Sequence, residues 1–345
     1  MYIKRLFILA IVLVLAVSLF GCKTIDTMKD LITNEDPDIE IIRSDEDENI
    51  LEDASLRNTV LYYQNENGYL VPVKRKIPWE EGIAKAALKN IMDSPIVRED
   101  IGSIGLNPII PSGTEIIGMS INQDTGLCKV DFSNGIMNCQ SKKDEENMIK
   151  GVVYTLTEFA NIKEVQIMID GKMVSELKYG TKINTPLARK DINVVENLKD
   201  AASKITVYYK GTSNGEYEYY VPVTVPTLAP NADINTSLEI LFDGAPELSG
   251  LYTDIPYGVE FQGVEISNGV AYVDIIAQDI STLSEQTVFN KMVKNIGLTL
   301  KEFSGVEYVE ILLDGKTVEE AGLDINSQDA MPVFANEYLK LPLSW

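Results

Sequence analysis

LTEFANIKEVQIMIDGKMV, residues 156–174, and LKEFSGVEYVEILLDGKTV, residues 300–318, align without a gap at a constant offset of 144, with nine of nineteen positions identical. Marks upstream keep the same order in both halves. Ile110-Pro111-Ser112-Gly113-Thr114-Glu115 corresponds to Ile255-Pro256-Tyr257-Gly258-Val259-Glu260 at offset 145, and Tyr69-Leu70-Val71-Pro72-Val73 to Tyr219-Tyr220-Val221-Pro222-Val223 at 150. Tyr62-Tyr63 corresponds to Tyr208-Tyr209 at 146. One unit has been written twice, the signature of tandem modules.

The changes of offset place insertions where turns belong. Tyr63 and Tyr69 are six steps apart, whereas Tyr209 and Tyr219 are ten apart, through a Gly-, Ser- and Asn-rich loop. In the second copy Asn268-Gly269 separates two apolar-alternating runs, and this pair favours a type I′ hairpin turn because both residues tolerate positive φ. Each copy therefore reads strand, strand, helix, strand, strand, helix, strand. The first helix carries Ala84, Ala87, Leu88, Ile91 and Met92 at helical spacing, echoed by Ile234, Leu238, Leu241 and Phe242. Asp93-Ser94-Pro95 and Asp243-Gly244-Ala245-Pro246 read as breakers.

The second helix carries Met148, Val152, Thr155, Leu156 and Phe159, repeated as Met292, Ile296, Thr299, Leu300 and Phe303. Ser141-Lys142-Lys143-Asp144 reads as its capping box. The closing strand alternates Val165, Ile167, Ile169 and then Val309, Ile311, Leu313. The expected fold is α+β: two tandem two-layer sandwich domains, each a small mixed sheet with two helices packed on one face.

Composition narrows the function classes. The chain has 345 residues, 52 acidic and 30 basic, hence a formal charge of −22, and it contains no histidine. A 45% apolar fraction is that of a folded protein. The acidity argues against nucleic acid as a partner, since phosphates need neutralising cations. Without histidine there is no His-based triad and no His-containing zinc site.

The N-terminus reads as an address. Lys4 and Arg5 precede an apolar run of signal-peptide length that ends in Leu19-Phe20-Gly21-Cys22. A small residue before a cysteine at that place resembles a bacterial lipobox, which assigns residues 1–22 as a lipoprotein signal and Cys22 as the lipidated residue. The alternative is an uncleaved signal anchor. Either way the partner is the membrane, on its extracytoplasmic face, and stable tethering takes more than one acyl chain. Residues 23–57 form an acidic spacer: Asn34–Asp53 holds ten acidic residues and one Arg, too little apolar surface to fold. Asp45-Glu46-Asp47-Glu48 lacks the glycine and ligand spacing of a calcium loop. Domain 1 is placed at 58–190, a linker at 191–203, domain 2 at 204–335 and a tail at 336–345.

No motif commits to catalysis, a cofactor or a metal. Cys128 and Cys139, eleven apart, permit a disulfide without requiring one, and two thiols make no zinc site. Asp170-Gly171-Lys172 and Asp314-Gly315-Lys316 read as turns. Glu158 and Glu302, beside the core Phe of each second helix, fall in separate domains and read as surface or helix-end groups. Asp131 and Asp274, between apolar neighbours, are expected to face solvent or an adjacent subunit. Ser175-Glu176-Leu177-Lys178 matches S-x-x-K by chance, since it follows a strand and lacks the companion motifs. The tyrosine stripe Tyr62, Tyr63, Tyr69, Tyr208, Tyr209, Tyr219, Tyr220 reads as half-buried cross-strand packing, with an interface as the second reading.

The order Tyr62-Tyr63, Ile110-Pro111-Ser112-Gly113-Thr114, Val130-Asp131-Phe132-Ser133, Thr155-Leu156-Thr157-Glu158-Phe159 and Asp170-Gly171-Lys172 resembles the GerM domain family of sporulation and germination lipoproteins. The second copy keeps most of these marks and departs at Val259, Ile275-Ile276 and Lys301. The resemblance spans about residues 58–335. It implies two tandem domains similar to ring-building motifs, no catalytic residues, and a part in assembling the channel complex between mother cell and forespore. Self-association or protein partners of that complex are implied. A cell-wall glycan or small-ligand module, with the tyrosines as stacking platforms, is the alternative; a carboxylate-only hydrolase would need two acids in one cleft.

Overall fold

The computed structural model describes residues 56–78, 82–194, 200–213, 215–325 and 328–339. Cys22 and nearly all of the acidic spacer lie outside the described residues. The α+β class and the tandem arrangement are present. In the first copy, β1 (Leu56–Asn65) and β2 (Leu70–Pro78) form an antiparallel hairpin, followed by α1 (Ile83–Lys89), α2 (Pro95–Gly102) and the short β3 (Leu106–Asn107). Then come β4 (Ile116–Asn122), β5 (Leu127–Phe132), α3 (Lys142–Leu156) and β6 (Glu164–Ile169). The second copy runs β7 (Ser203–Ser213), β8 (Tyr217–Thr227), α4 (Ile234–Asp243), β9 (Val259–Ser267), β10 (Val270–Ala277), α5 (Gln286–Leu300) and β11 (Tyr308–Leu313). It closes with β12 (Lys316–Thr317), β13 (Gln328–Ala330) and β14 (Glu337–Tyr338).

The strands of each copy divide between two sheets. The hairpin stands apart, while β4-β5-β6 and β9-β10-β11 form their own sheets, with β5 parallel to β6 and β10 parallel to β11. A parallel pair needs a crossover, and α3 and α5 supply it. The two sheets share a core because α3 packs against both β1 and β6, and α5 against both β7 and β11. Val165, Ile167 and Ile169 and their counterparts Val309, Ile311 and Leu313 are all buried. Phe159 is buried as expected, whereas Phe303 is only half-buried.

Local chemistry explains where elements start and turn. The Ser141 Oγ accepts the Asp144 N–H at 3.1 Å and donates to the Asp144 carboxylate at 2.7 Å, so the cap forms with the acid turned to the hydroxyl. Asn268 and Gly269 have φ of 50° and 82°, and Asp170–Gly171 and Asp314–Gly315 repeat that geometry. All three are type I′ turns at strand ends.

Ser94-Pro95 is more than a breaker. Ser94 Oγ accepts the Val97 N–H at 3.2 Å and Pro95 occupies the first helical turn, so the pair begins α2, while α1 has already ended at Lys89 with Asn90 as its cap. The second copy has no such helix. Its corresponding loop instead crosses to the first copy, where the Tyr69 hydroxyl donates to the Ser249 carbonyl at 2.9 Å.

The two hairpins pack β2 against β8. Asn193 sits on this seam with φ 49°. Its amide nitrogen donates to the carbonyls of Leu70 and Pro222, both at 2.8 Å, and its oxygen accepts the Leu70 N–H at 2.8 Å. The linker and the tail are therefore not mere connectors. The Lys74 N–H donates to the Asn336 carbonyl at 2.8 Å, and β14 lies parallel along the free side of β2.

Candidate functional site

The duplication creates its most chemically dense region where equivalent positions of the two copies meet. Tyr62 on β1 and Tyr208 on β7 are equivalent; so are Glu158 and Glu302, just past the ends of α3 and α5. In both copies a buried helix threonine fixes the strand: Thr155 Oγ1 accepts the Tyr62 N–H, and Thr299 Oγ1 the Tyr208 N–H, each at 3.2 Å. The Tyr62 hydroxyl then donates to Glu158 at 3.3 Å. Arg189 pairs with the same carboxylate and also donates to Thr157 Oγ1 at 2.8 Å. The Tyr154 ring lies 5.2 Å from that of Tyr62 and 4.8 Å from the Arg189 guanidinium.

Glu158 and Glu302 thus belong to one electrostatic cluster. This corrects the assignment of the two acids to separate surroundings, and the cause is the seam, which brings both helix ends to the same place. Burial raises the Glu302 carboxyl above its ordinary value and the Glu158 charge adds to this, while Arg189, Lys301 and the Tyr208 hydroxyl oppose it. Burial likewise pushes the Tyr62 and Tyr208 phenols well up, and the Tyr154 phenol to about 12. Two neighbouring carboxylates are raw material for glycoside hydrolysis. Here Glu158 is already engaged by Arg189 and Tyr62, and one guanidinium serves a pair of acids, as suits a structural seam.

The other sequence-selected groups are spent on the fold. Asp131 Oδ1 accepts the Gly171 N–H at 2.9 Å, and Asp274 Oδ1 the Gly315 N–H at 2.9 Å. These acids pin the Asp-Gly turns and do not simply face solvent. Tyr62, Tyr63, Tyr209, Tyr219 and Tyr220 are buried, so their rings are not available as stacking faces for a glycan. Cys128 and Cys139 are buried free thiols, whose pKa burial raises to about 12 and about 11. Among the described residues no group of three acidic or thiol side chains is placed to hold a metal ion.

Sequence reading missed the partners that come from the linkers. Arg189, Asn193, Asn336 and Tyr338 lie in segments without apolar periodicity, where no pattern marks them. It also missed a buried network in the second copy. Lys210 reaches Asp254 at 3.0 Å and Glu218 at 2.9 Å, and the Tyr220 hydroxyl donates to Asp254 at 2.5 Å.

Comparison with known proteins agrees with this architecture. The family model described as Germane, sporulation and spore germination, matches residues 60–175 and 206–319. The spore germination protein GerM of Bacillus subtilis (strain 168) is 31% identical over 287 residues, covering 80% of this chain and 77% of that protein. The solved tandem GerMN domains of the sporulation protein GerM from Bacillus subtilis superpose with a TM-score of 0.70 at 30% identity, covering 82% of this chain and 99% of that one. This chain belongs to the Germane family of sporulation and spore germination proteins and carries its domain twice.

Proposed function

We propose that the protein is a non-enzymatic scaffold of sporulation, tethered through lipidated Cys22 to the extracytoplasmic face of the membrane, where it helps assemble a mother cell–forespore channel or ring complex. The observation that carries the reading is the reciprocal seam. Asn193 and Asn336 lock the two hairpins together, and the hydroxyls of Tyr69 and Ser213 donate to the Ser249 and Gly105 carbonyls of the opposite copy. A reciprocal contact closes on itself and cannot propagate, so it makes one two-armed body and leaves further assembly to other surfaces. The outer strands β4 and β9 pair on one side only, and Ile117 on β4 is 54% exposed. An unpaired strand edge is a ready docking template. No helix among the described residues is long and apolar enough to cross a membrane.

Site-specific photocrosslinking from Ile117 and Ile266 in sporulating cells tests the scaffold role. Discrete crosslinked protein species are expected, together with a sporulation defect on deletion and palmitate incorporation lost in Cys22→Ala. Normal spore formation and germination in the deletion strain, with no crosslinked species, would discard it.

A further inference from the structure

A groove runs along the outer face of α3 beneath the strap of residues 181–190, with a volume of about 150 Å³. Its floor is apolar, from Ile149, Val153, Leu187 and Ala188, and its rim carries Lys150, Lys190 and Lys182, the last also ion-paired with Glu176. On a chain of net charge −22 this is a local reversal of sign. Lys143 and Lys204 also lie within electrostatic reach of Lys150, while Glu146 and Asp191 are its acidic neighbours. The buried hydroxyl of Thr181, on the groove wall, has no hydrogen-bond partner. A buried orphan hydroxyl is costly and calls for a partner.

The second copy closes the same place. There the strap seats Pro332 against α5, with its Cδ only 2.6 Å from where a Cβ on Gly297 would stand. Duplication supplied the strap twice, and one copy left a cavity under it.

We propose that this groove docks an acidic peptide segment of a partner protein, with one branched or aromatic side chain in the trough and flanking carboxylates on Lys150, Lys182 and Lys190. The volume selects this occupant: a cavity near 150 Å³ holds something about as large as benzene, far less than a membrane acyl chain. This supplies a partner chemistry to the scaffold reading and rests on it only for the partner being a protein; binding in vitro is read independently of any sporulation phenotype.

The test titrates the full chain, reconstituted in neutral lipid nanodiscs, with the acetylated and amidated peptide Asp-Glu-Leu-Glu-Asp and its Leu→Ser form, read by isothermal titration calorimetry. Saturable binding is expected, at least tenfold weaker for the Ser peptide. Ala188→Trp should abolish it by filling the trough, and Lys182→Glu with Lys190→Glu should weaken it at least tenfold. All three positions are exposed, so the fold tolerates the changes. Equal binding of both peptides, binding unchanged in Ala188→Trp, or no saturation at millimolar peptide would overturn the proposal.

Discussion

Asn193 and Asn336, 143 residues apart, make the same three hydrogen bonds in exchanged hands. Asn193 closes on the Leu70 amide and carbonyl of its own copy and reaches the Pro222 carbonyl of the other. Asn336 takes the Tyr220 amide at 2.7 Å, gives to the Tyr220 carbonyl at 2.8 Å, and reaches the Pro72 carbonyl at 2.9 Å. Leu70 and Tyr220, like Pro72 and Pro222, are equivalent at offset 150, so the seam has an internal two-fold relation. Removing either amide leaves buried backbone groups without partners, at a cost of about 1–3 kcal/mol. Asn193→Gly, which keeps the positive φ accessible, and Asn336→Ala should each lower the urea midpoint of a transition common to both copies. Two separate transitions, only one of them shifted, would show that the seam does not couple the copies.

Glu302 gives the seam a pH dependence of known sign. Its folded pKa is raised, chiefly by burial and then by the neighbouring Glu158 charge. Between the unfolded carboxylate pKa and this higher folded value the native state binds more protons than the unfolded state, so stability falls as pH rises through that window. Glu302→Gln should therefore stabilise the protein at neutral pH, and the gain should vanish once the pH drops below the ordinary carboxylate range. Part of the side chain is exposed, so solvent screening keeps the gain small. Thermal melts of both proteins from pH 4 to 8 check the crossing.

Much of the fold was legible because duplication repeats each clue. Apolar periodicity placed both crossover helices, and Asn268-Gly269 announced its turn through backbone chemistry local to two residues. What stayed hidden depends on long-range contact. Glu158 and Glu302 looked remote, since nothing in either copy states that the hairpins pack together. Helix α2 was hidden because Ser94-Pro95 reads as a breaker while it starts a helix, and its buried apolar residues Val97 and Ile101 are too few to set a period. The groove on α3 depends on the path of a loop strap, which leaves no repeating pattern at all.

The aspartates of the second hairpins offer a paired test. Asp131 accepts from Gly171, 40 residues on, and Asp274 from Gly315, 41 residues on. Each bond ties a β-strand to the tight turn that ends its parallel neighbour, and a hydrogen bond to a charged group contributes about 1.5–3 kcal/mol when sheltered and less when exposed. Asp131→Ala and Asp274→Ala should each cost about 1 kcal/mol, while amide exchange speeds up at Gly171 or Gly315 alone. Faster exchange spread over the whole sheet would mean that the aspartate does more than hold its turn.

Arg75 and Asp100 form an ion pair at 2.5 Å with both side chains almost wholly buried. The pair joins β2 to α2, the helix that the second copy lacks, and the tail covers it: the Tyr338 ring lies 4.8 Å from the Arg75 guanidinium, and the Tyr338 hydroxyl is 2.9 Å from Ser103 Oγ. Arg75 Nε and Asp100 Oδ1 have no hydrogen-bond partner, so desolvation is only partly offset. The second copy places buried Val225 at the position equivalent to Arg75. Asp100→Ala should therefore cost about 3–5 kcal/mol by stranding a buried cation, whereas Arg75→Leu with Asp100→Leu should be neutral or stabilising. A double-mutant cycle in guanidinium chloride separates these outcomes. If the double substitution is as damaging as the single one, the pair is needed for seating α2 and the tail, and the apolar solution of the second copy cannot be transferred to the first.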